Sequence, residues 1–327
     1  MRILFAGSPS IAVPSLTALS QMEYADKNIQ LVGLLTNPDS AQGRKSDLIP
    51  TETASAVAAI SAERLSRGLP PVAVLKFDRL NAAAREQAAL LKCDLLVCFA
   101  YGRIFGPKFL SLFPLGGINI HPSLLPRFRG PAPIQAAILS GDDETGITIQ
   151  AIAPEMDSGV IFAQEKIKLG SRETASSLGE TVSLKAAEML SRLIPEIAAG
   201  SAKTTPQTGE PSYCSIITRE QGRIDWKSGA IEIDAKVRAY NPWPLCFTQW
   251  GNESLNIIEG SVFPNPDNKK PDETPGMVLG IDRAFGILIQ TGNGVYAVSH
   301  LQRQTKKAMD WKAFINGARD FSGSRLE

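Results

Sequence analysis

The feature that most constrains this sequence is the alternation of short apolar runs with helix-patterned segments along its first half. The apolar runs stop at Gly, Pro or Asn-Pro, and they predict buried strands at 3–6, 31–36, 71–75, 94–100, 118–121 and 147–151. Helical periodicity predicts helices at 11–20, 53–65, 80–91 and 174–199. Strands that alternate with helices are typical of a mostly parallel α/β sheet.

The sequence changes character after residue 199. Residues 200–212 are rich in Ser, Thr, Pro and Gly and lack apolar periodicity, which indicates a linker. Beyond it, one predicted helix at 231–238 is followed by short strands at hairpin spacing, a pattern typical of a small β-barrel. The predicted strands are 247–250, 254–259, 276–280, 286–290 and 294–299. We therefore expect an α/β domain at 1–199 and a β-barrel domain at 213–327.

Composition and charge argue against several classes of function. The chain has 34 Lys and Arg against 33 Asp and Glu, so a polyanion would have to be held by local patches. Its four cysteines lack the spacing of a zinc site or a disulfide framework, and no metal is predicted. No apolar stretch reaches the length of a membrane span, and no leader is recognisable. We expect a cytoplasmic protein with no membrane partner, and a monomer because no heptad or spare apolar helix is evident.

The most informative stretch for chemistry is GINIHPSLLPRFRG at 117–130. Asn119 and His121 are two residues apart on a predicted strand, so their side chains share one face. The carboxyl ends of strands in open α/β sheets are where ligands bind. The tripeptide Asn119-Ile120-His121 alone also fits an ordinary histidine in a core or turn. A third polar group nearby is needed before the pair indicates catalysis.

That third group is Asp157, in the stretch APEMDSG one strand later. An Asp in a turn is usually a local cap, but a carboxylate near an amide and an imidazole fits an acyl-transfer site. Asn119 and His121 would stabilise a developing oxyanion. Asp157 would raise the pKa of the imidazole and collect a proton from an attacking amine. No covalent nucleophile is required.

Several strings of the sequence resemble the folate-dependent formyltransferase superfamily. The strings are MRILFAGSP, AYGRI, INIHPSLLPRFRGPAPIQ, ETGITIQ and MDSG. The resemblance covers nearly the full length, because GRIDW, VRAYNPWP and LQRQTKKAM resemble the C-terminal domain of the members that act on charged tRNA. The central motif is specific to the superfamily, and the C-terminal strings are specific to those members.

The resemblance implies a Rossmann-like catalytic domain followed by a small OB-like β-barrel domain. It also implies 10-formyltetrahydrofolate as the donor and initiator methionyl-tRNA as the acceptor, and it makes Asn119, His121 and Asp157 the catalytic residues. Folate contacts are implied for Phe99, Ala100, Tyr101, Gly102, Ser123, Leu124, Leu125, Pro126, Pro154, Glu155 and Met156. Backbone groups in an apolar slot suit the amide-like edges of a pterin.

The resemblance also implies contacts to tRNA. Members carry a basic insertion after the second strand, and this chain keeps Arg44 but lacks part of the basic run, so we expect Lys45 to be solvated. In the second domain, Arg303, Lys306 and Lys307 form the best candidate patch. A charge run is usually a solvated face, and only the resemblance makes this one a tRNA contact.

Four alternatives remain open at this point. A sugar-nucleotide N-formyltransferase would keep the donor and change the acceptor, and a formyltetrahydrofolate hydrolase would use water. A nicotinamide-dependent oxidoreductase would need GxGxxG, where this chain has only Gly7, followed by Pro9 in the turn. A non-catalytic RNA-binding module would leave Asn119, His121 and Asp157 unexplained.

Overall fold

The computed structural model describes residues 1–41, 47–264, 274–318 and 320–327. The chain divides into two compact units, each described here by itself. Unit 1 comprises Met1–Pro133, Glu144–Lys168 and Gly179–Cys214, and unit 2 comprises Ile134–Asp143, Leu169–Leu178 and Ser215–Glu327. The predicted domain boundaries at 199 and 213 stay a prediction.

The described residues contain the predicted strands and helices in the predicted order, together with several short strands and helices that were not predicted. The strands are β1 Arg2–Ala6, β2 Gln30–Thr36, β3 Ser40–Ala41, β4 Leu48–Ile49, β5 Ala73–Lys76, β6 Leu95–Cys98, β7 Gly117–His121, β8 Glu144–Ala151, β9 Ile161–Lys168, β10 Cys246–Trp250, β11 Glu253–Val262, β12 Val278–Asp282, β13 Gly286–Gln290, β14 Val295–Arg303 and β15 Met309–Asp310. The helices are α1 Val13–Ala25, α2 Glu52–Ser66, α3 Ala82–Leu90, α4 Pro107–Leu110, α5 Pro133–Ser140, α6 Ala175–Ala198, α7 Ala230–Ala239 and α8 Trp311–Asn316. Among these helices, none is both long and apolar enough to cross a bilayer.

The large sheet of unit 1 has the strand order β5-β2-β1-β6-β7-β8-β9. Its first five strands in that order are parallel, which confirms the predicted mostly parallel α/β sheet, while β8 runs antiparallel to both of its neighbours, β7 and β9. The apolar runs of β1 and β6 are buried throughout because helices cover parallel sheets on both faces. The sequence analysis missed β9, whose residues are mostly partly or fully exposed, as at a sheet edge.

Strand β7 carries the predicted catalytic pair between β6 and β8. Asn119 pairs with Cys98 of β6 on one side and with Gln150 of β8 on the other. Ile118 and Ile120 are buried at 1% and 2% exposure and point to the opposite face from Asn119 and His121. The alternation read from the sequence is therefore what orients the two polar side chains together.

Unit 2 contains an antiparallel sheet in the order β10-β11-β14-β13-β12, with β15 paired to β14. The predicted hairpin strands are confirmed. Residues 325–327 connect the two edges of this sheet. Gln249 and Glu327 exchange backbone hydrogen bonds of 2.8 and 3.0 Å, and the Leu326 amide donates to the Gly276 carbonyl at 2.8 Å.

Candidate active site

The structure brings the three predicted catalytic residues of unit 1 together. Asn119 Nδ2 donates to Asp157 Oδ1 at 3.3 Å, and His121 Nδ1 lies 3.5 Å from Asp157 Oδ2. The carboxylate of Asp157 thus touches both polar side chains of β7. Its side chain is 12% exposed, while that of His121 is 4% exposed.

Asp157 reaches this position by a route that differs from the expected one. We expected it at the end of a strand neighbouring β7, but β8 runs antiparallel, so its last residue, Ala151, pairs with Ile118 near the start of β7. The following turn folds back over the sheet face that carries Asn119. Gly159 allows this close return, since a Cβ there would lie 1.8 Å from the Ala151 carbonyl oxygen.

Two further groups hold the Asp157 carboxylate, and the sequence analysis assigned neither. Gln150 Nε2 donates to Oδ1 at 2.8 Å, and the backbone amide of Gly130 donates to Oδ2 at 2.9 Å. Gln150 lies in ETGITIQ and pairs directly with Asn119, so a correct antiparallel register would have found it. Gly130 has φ of +119°, and a Cβ there would meet the Cys214 carbonyl oxygen at 2.2 Å, which requires glycine.

His121 is a buried imidazole whose tautomer follows from its partners. Nε2 lies 2.9 Å from the carbonyl oxygen of Phe128, which can only accept, so Nε2 carries a hydrogen. Burial lowers the pKa of His121 below its ordinary 6.5, and this outweighs Asp157 and the Phe128 carbonyl, which both raise it. Asp157 does raise the pKa of His121, as expected, but burial, whose depth the sequence does not show, lowers it by more.

The first two predicted folate segments flank β7. Phe99, Ala100, Tyr101 and Gly102 follow β6, with Phe99 and Tyr101 buried and the other two exposed. Ser123, Leu124, Leu125 and Pro126 follow β7 itself. Thr148 Oγ1 donates to the Ser123 carbonyl at 2.7 Å and accepts from the Leu125 amide at 3.2 Å, which fixes the path of this segment.

The third predicted folate segment lies in the turn before Asp157. Pro154, Glu155 and Met156 are all exposed, and the Met156 side chain keeps an exposure of 55%. Because this turn carries Asp157 over the face of β7, the surface of the turn lies beside the side chains of Asn119, His121 and Asp157.

The predicted tRNA residues have different environments in the structure. Arg44 and Lys45 lie outside the described residues. Arg303 stacks 5.1 Å from the Phe314 ring centre and 5.5 Å from that of Trp250, and its Nη1 lies 3.5 Å from a Glu253 oxygen. Lys306 and Lys307 are exposed. These contacts belong to unit 2, and the catalytic candidates belong to unit 1.

Comparison with known proteins identifies the family. Residues 1–194 match the Formyl transferase family, and residues 216–319 match the Formyl transferase C-terminal domain. The methionyl-tRNA formyltransferase of Treponema denticola is 45% identical over 98% of both chains.

Two solved structures share the fold. Aquifex aeolicus HypX in complex with tetrahydrofolic acid has a TM-score of 0.63 at 17% identity, covering 98% of this chain and 48% of HypX. WlaRD, a sugar 3N-formyl transferase, has a TM-score of 0.61 at 20% identity, covering 94% of this chain and 99% of WlaRD. With the matched family regions and the 45% relative, the chain is an enzyme that belongs to the formyl transferase family.

Proposed function

We propose that the protein transfers the formyl group of 10-formyltetrahydrofolate to the α-amino group of methionine on initiator methionyl-tRNA, for translation initiation. The amine attacks directly, with no covalent enzyme intermediate. The observation that carries this proposal is the contact of the Asp157 carboxylate with both Asn119, at 3.3 Å, and His121, at 3.5 Å. The name of the Treponema denticola relative supports the choice of acceptor.

The three side chains divide the charge that the reaction creates. Attack by a neutral amine puts negative charge on the formyl oxygen and positive charge on nitrogen. Asn119 has two amide hydrogens, one committed to Asp157 and the second donated to the formyl oxygen. The Nε2–H of His121, which donates to the Phe128 carbonyl at 2.9 Å, is shared with the formyl oxygen as a second donor when the substrates are bound. An α-amino group with a pKa of about 7.7–8.0 is substantially unprotonated at neutral pH.

Asp157 handles the proton. Its carboxylate accepts the proton of the positive nitrogen directly or through one water. As the new C–N bond forms, the bond from the formyl carbon to N10 of the donor breaks, and the proton passes to N10. Atoms and charge therefore balance with Asp157 returned to its starting form.

We propose that the donor lies against the segments 99–102, 123–126 and 154–156. The segments follow β6, follow β7 and precede Asp157, and they include the buried Phe99 and Tyr101 and the exposed Pro154, Glu155 and Met156. This composition fits a pterin, which needs an apolar slot and amide-like hydrogen bonding at its edges. The solved HypX complex, with tetrahydrofolic acid in a similar fold, supports this proposal.

We propose that Arg44, Arg303, Lys306 and Lys307 contact the tRNA, with a catalytic domain at 1–199, a linker at 200–212 and an OB-like barrel at 213–327. The hydrogen bonds of residues 325–327 to both edges of the unit 2 sheet support a closed barrel. We further propose a cytoplasmic monomer that needs no metal.

One experiment tests the function against its alternatives. Purified protein is incubated with formyl-labelled donor and either charged initiator tRNA, a nucleotide amino sugar or no acceptor. We expect the label on the methionine of the tRNA. Label only on the sugar, or only as free formate, would refute the proposal in favour of a sugar-nucleotide enzyme or a hydrolase. Binding of tRNA without turnover would instead favour an RNA-binding module.

A further inference from the structure

Gln207 reaches the turn that carries Asp157, although it comes from the stretch predicted to be a linker. Its Nε2 lies 2.8 Å from the Asp157 carbonyl oxygen and 2.9 Å from the Gly159 carbonyl oxygen. A carboxamide nitrogen has two hydrogens, so one side chain can hold both carbonyls at once. Gln207 therefore fixes the backbone on both sides of Ser158.

The orientation of the Gln207 amide is fixed by a charged partner. Arg129 donates to Gln207 Oε1 from Nη2 at 2.6 Å and from Nε at 3.2 Å. A guanidinium only donates and a carbonyl only accepts, so the amide oxygen must face Arg129 and the nitrogen must face the turn. The Arg129 backbone amide in turn donates to the Ser212 carbonyl at 2.8 Å.

The turn needs such support because Asp157 has φ of +51°, in the left-handed region. This conformation is unfavourable for residues other than glycine, and it persists where the surroundings enforce it. Gln150 restrains the carboxylate, and its Oε1 accepts from the Gly159 amide at 3.1 Å and lies 3.2 Å from Gln207 Nε2. Gln150 and Gln207 thus hold the side chain and the backbone of one aspartate.

We infer that Gln207 is a positioning residue for the reaction, acting through Asp157 by holding its backbone in the left-handed conformation that aims the carboxylate at Asn119 and His121. This inference rests on the proposed catalytic role of Asp157. No substrate contact is required of Gln207. Residues 200–212 then contribute to catalysis as well as connecting the two parts of the chain.

The test compares Gln207→Glu with Gln290→Glu. The first change keeps the size of the side chain and its acceptor for Arg129 but replaces the donor with an oxygen that faces two carbonyl oxygens. Gln290 is the matched control, because its Nε2 donates to the Thr291 and Gly294 carbonyls of unit 2 at 2.9 and 3.3 Å. We expect kcat of Gln207→Glu to fall about 100-fold, the scale of a small misplacement of a catalytic group.

Two readouts separate positioning from a loss of folded protein. The number of 5-formyltetrahydrofolate sites per chain should stay the same in Gln207→Glu and in Gln207→Met, a second variant that lacks the donor without adding charge. In an Asp157→Asn background, Gln207→Glu should cost little further, because both changes remove the same contribution. A full additional loss, or a loss of donor sites that matches the loss of rate, would overturn the inference.

A readout that does not need turnover keeps this inference separate from the proposed function. The Gly130 amide donates to Asp157 Oδ2, so its resonance in protein labelled with ¹⁵N-glycine reports the carboxylate position. Gln207→Glu should shift that resonance and Gln290→Glu should not. Wild-type protein without transferase activity would refute the function alone, whereas an unmoved Gly130 resonance, or active Gln207 variants at near-normal kcat, would refute the positioning role alone.

Discussion

Asp157 in unit 1 and Asp234 in unit 2 are carboxylates of similar burial, with side-chain exposures of 12% and 10%. Asp234 is surrounded by cations: Arg238 Nε lies 2.7 Å from Oδ2, and Arg172 Nη1 lies 3.5 Å from Oδ1. Asp157 is held instead by neutral groups, among them the amide of Gln150 at 2.8 Å. Charged partners thus stabilise the buried carboxylate of Asp234, whereas neutral hydrogen-bond donors stabilise that of Asp157.

In the proposed reaction, the difference separates a carboxylate that stabilises the fold from one that accepts a proton. The guanidinium groups of Arg238 and Arg172 stay protonated, so they balance the negative charge of Asp234 permanently. The amide donors of Asn119, Gln150 and Gly130 orient Asp157 without cancelling its charge. That charge remains available to a nitrogen that becomes positive during attack.

The largest expected effect is on catalysis. Asp157→Asn keeps the shape of the side chain but removes the proton acceptor, and kcat should fall by about 1,000-fold. Asp234→Asn should leave kcat unchanged, because its carboxylate serves only the fold. Single-turnover transfer of labelled formyl groups measures both. Comparable losses from the two variants would erase the distinction between the two carboxylates.

The second effect concerns stability, and here the change at Asp234 should cost more than the change at Asp157. Asp234→Asn weakens the charged hydrogen bond from Arg238 and removes the ion pair with Arg172, so it should lower the free energy of unfolding by about 2 kcal/mol. Asp157→Asn should cost less, since its partners are neutral. Urea denaturation followed by fluorescence measures both variants, and a larger cost for Asp157→Asn would contradict the comparison.

The third effect follows from the imidazole that Asp157 faces. Burial lowers the folded-state pKa of His121, so below about pH 6.5 the unfolded chain binds a proton that the folded chain does not. Stability should therefore fall as the pH drops below this value, by at most about 1.4 kcal/mol per pH unit from this group. His121→Gln should flatten this dependence in denaturation curves taken between pH 7 and pH 5. An unchanged slope would show that the ring is not buried in its neutral form.

The smallest effect concerns the proposed tRNA surface, where some cations have a charged or aromatic partner and others are exposed. Lys306 and Lys307 are exposed, whereas Arg303 is stacked on aromatic rings and lies beside Glu253. Replacing either lysine by Ala should weaken tRNA binding modestly and reduce the slope of log K against log salt by about 1. Binding titrations across a salt series measure this slope. Arg303→Ala should mainly reduce stability, and a larger salt effect from Arg303 than from the lysines would reverse the assignment.

The sequence predicted the elements that local pattern controls. Apolar runs gave the parallel strands, and the alternation in GINIH placed Asn119 and His121 on one face, because side chains on a strand alternate with period two. The pairing of β8 and β9 was not predictable in this way. Whether a strand pairs antiparallel depends on which strand of the sheet it lies beside, and the sequence does not show this. In addition, β9 is mostly partly or fully exposed, so it lacks a strong apolar pattern.

Local pattern alone thus determined the strand that presents Asn119 and His121 on one face and the class of the fold. Only the tertiary structure decided that Asp157 returns over β7, that Gln150 and Gln207 hold it, and that burial lowers the pKa of His121. Those properties come from hydrogen bonds between residues far apart in the chain and from the water excluded around them. Periodic patterns and spacings describe residues that are close in sequence, so they do not show which distant residues meet or where water is excluded.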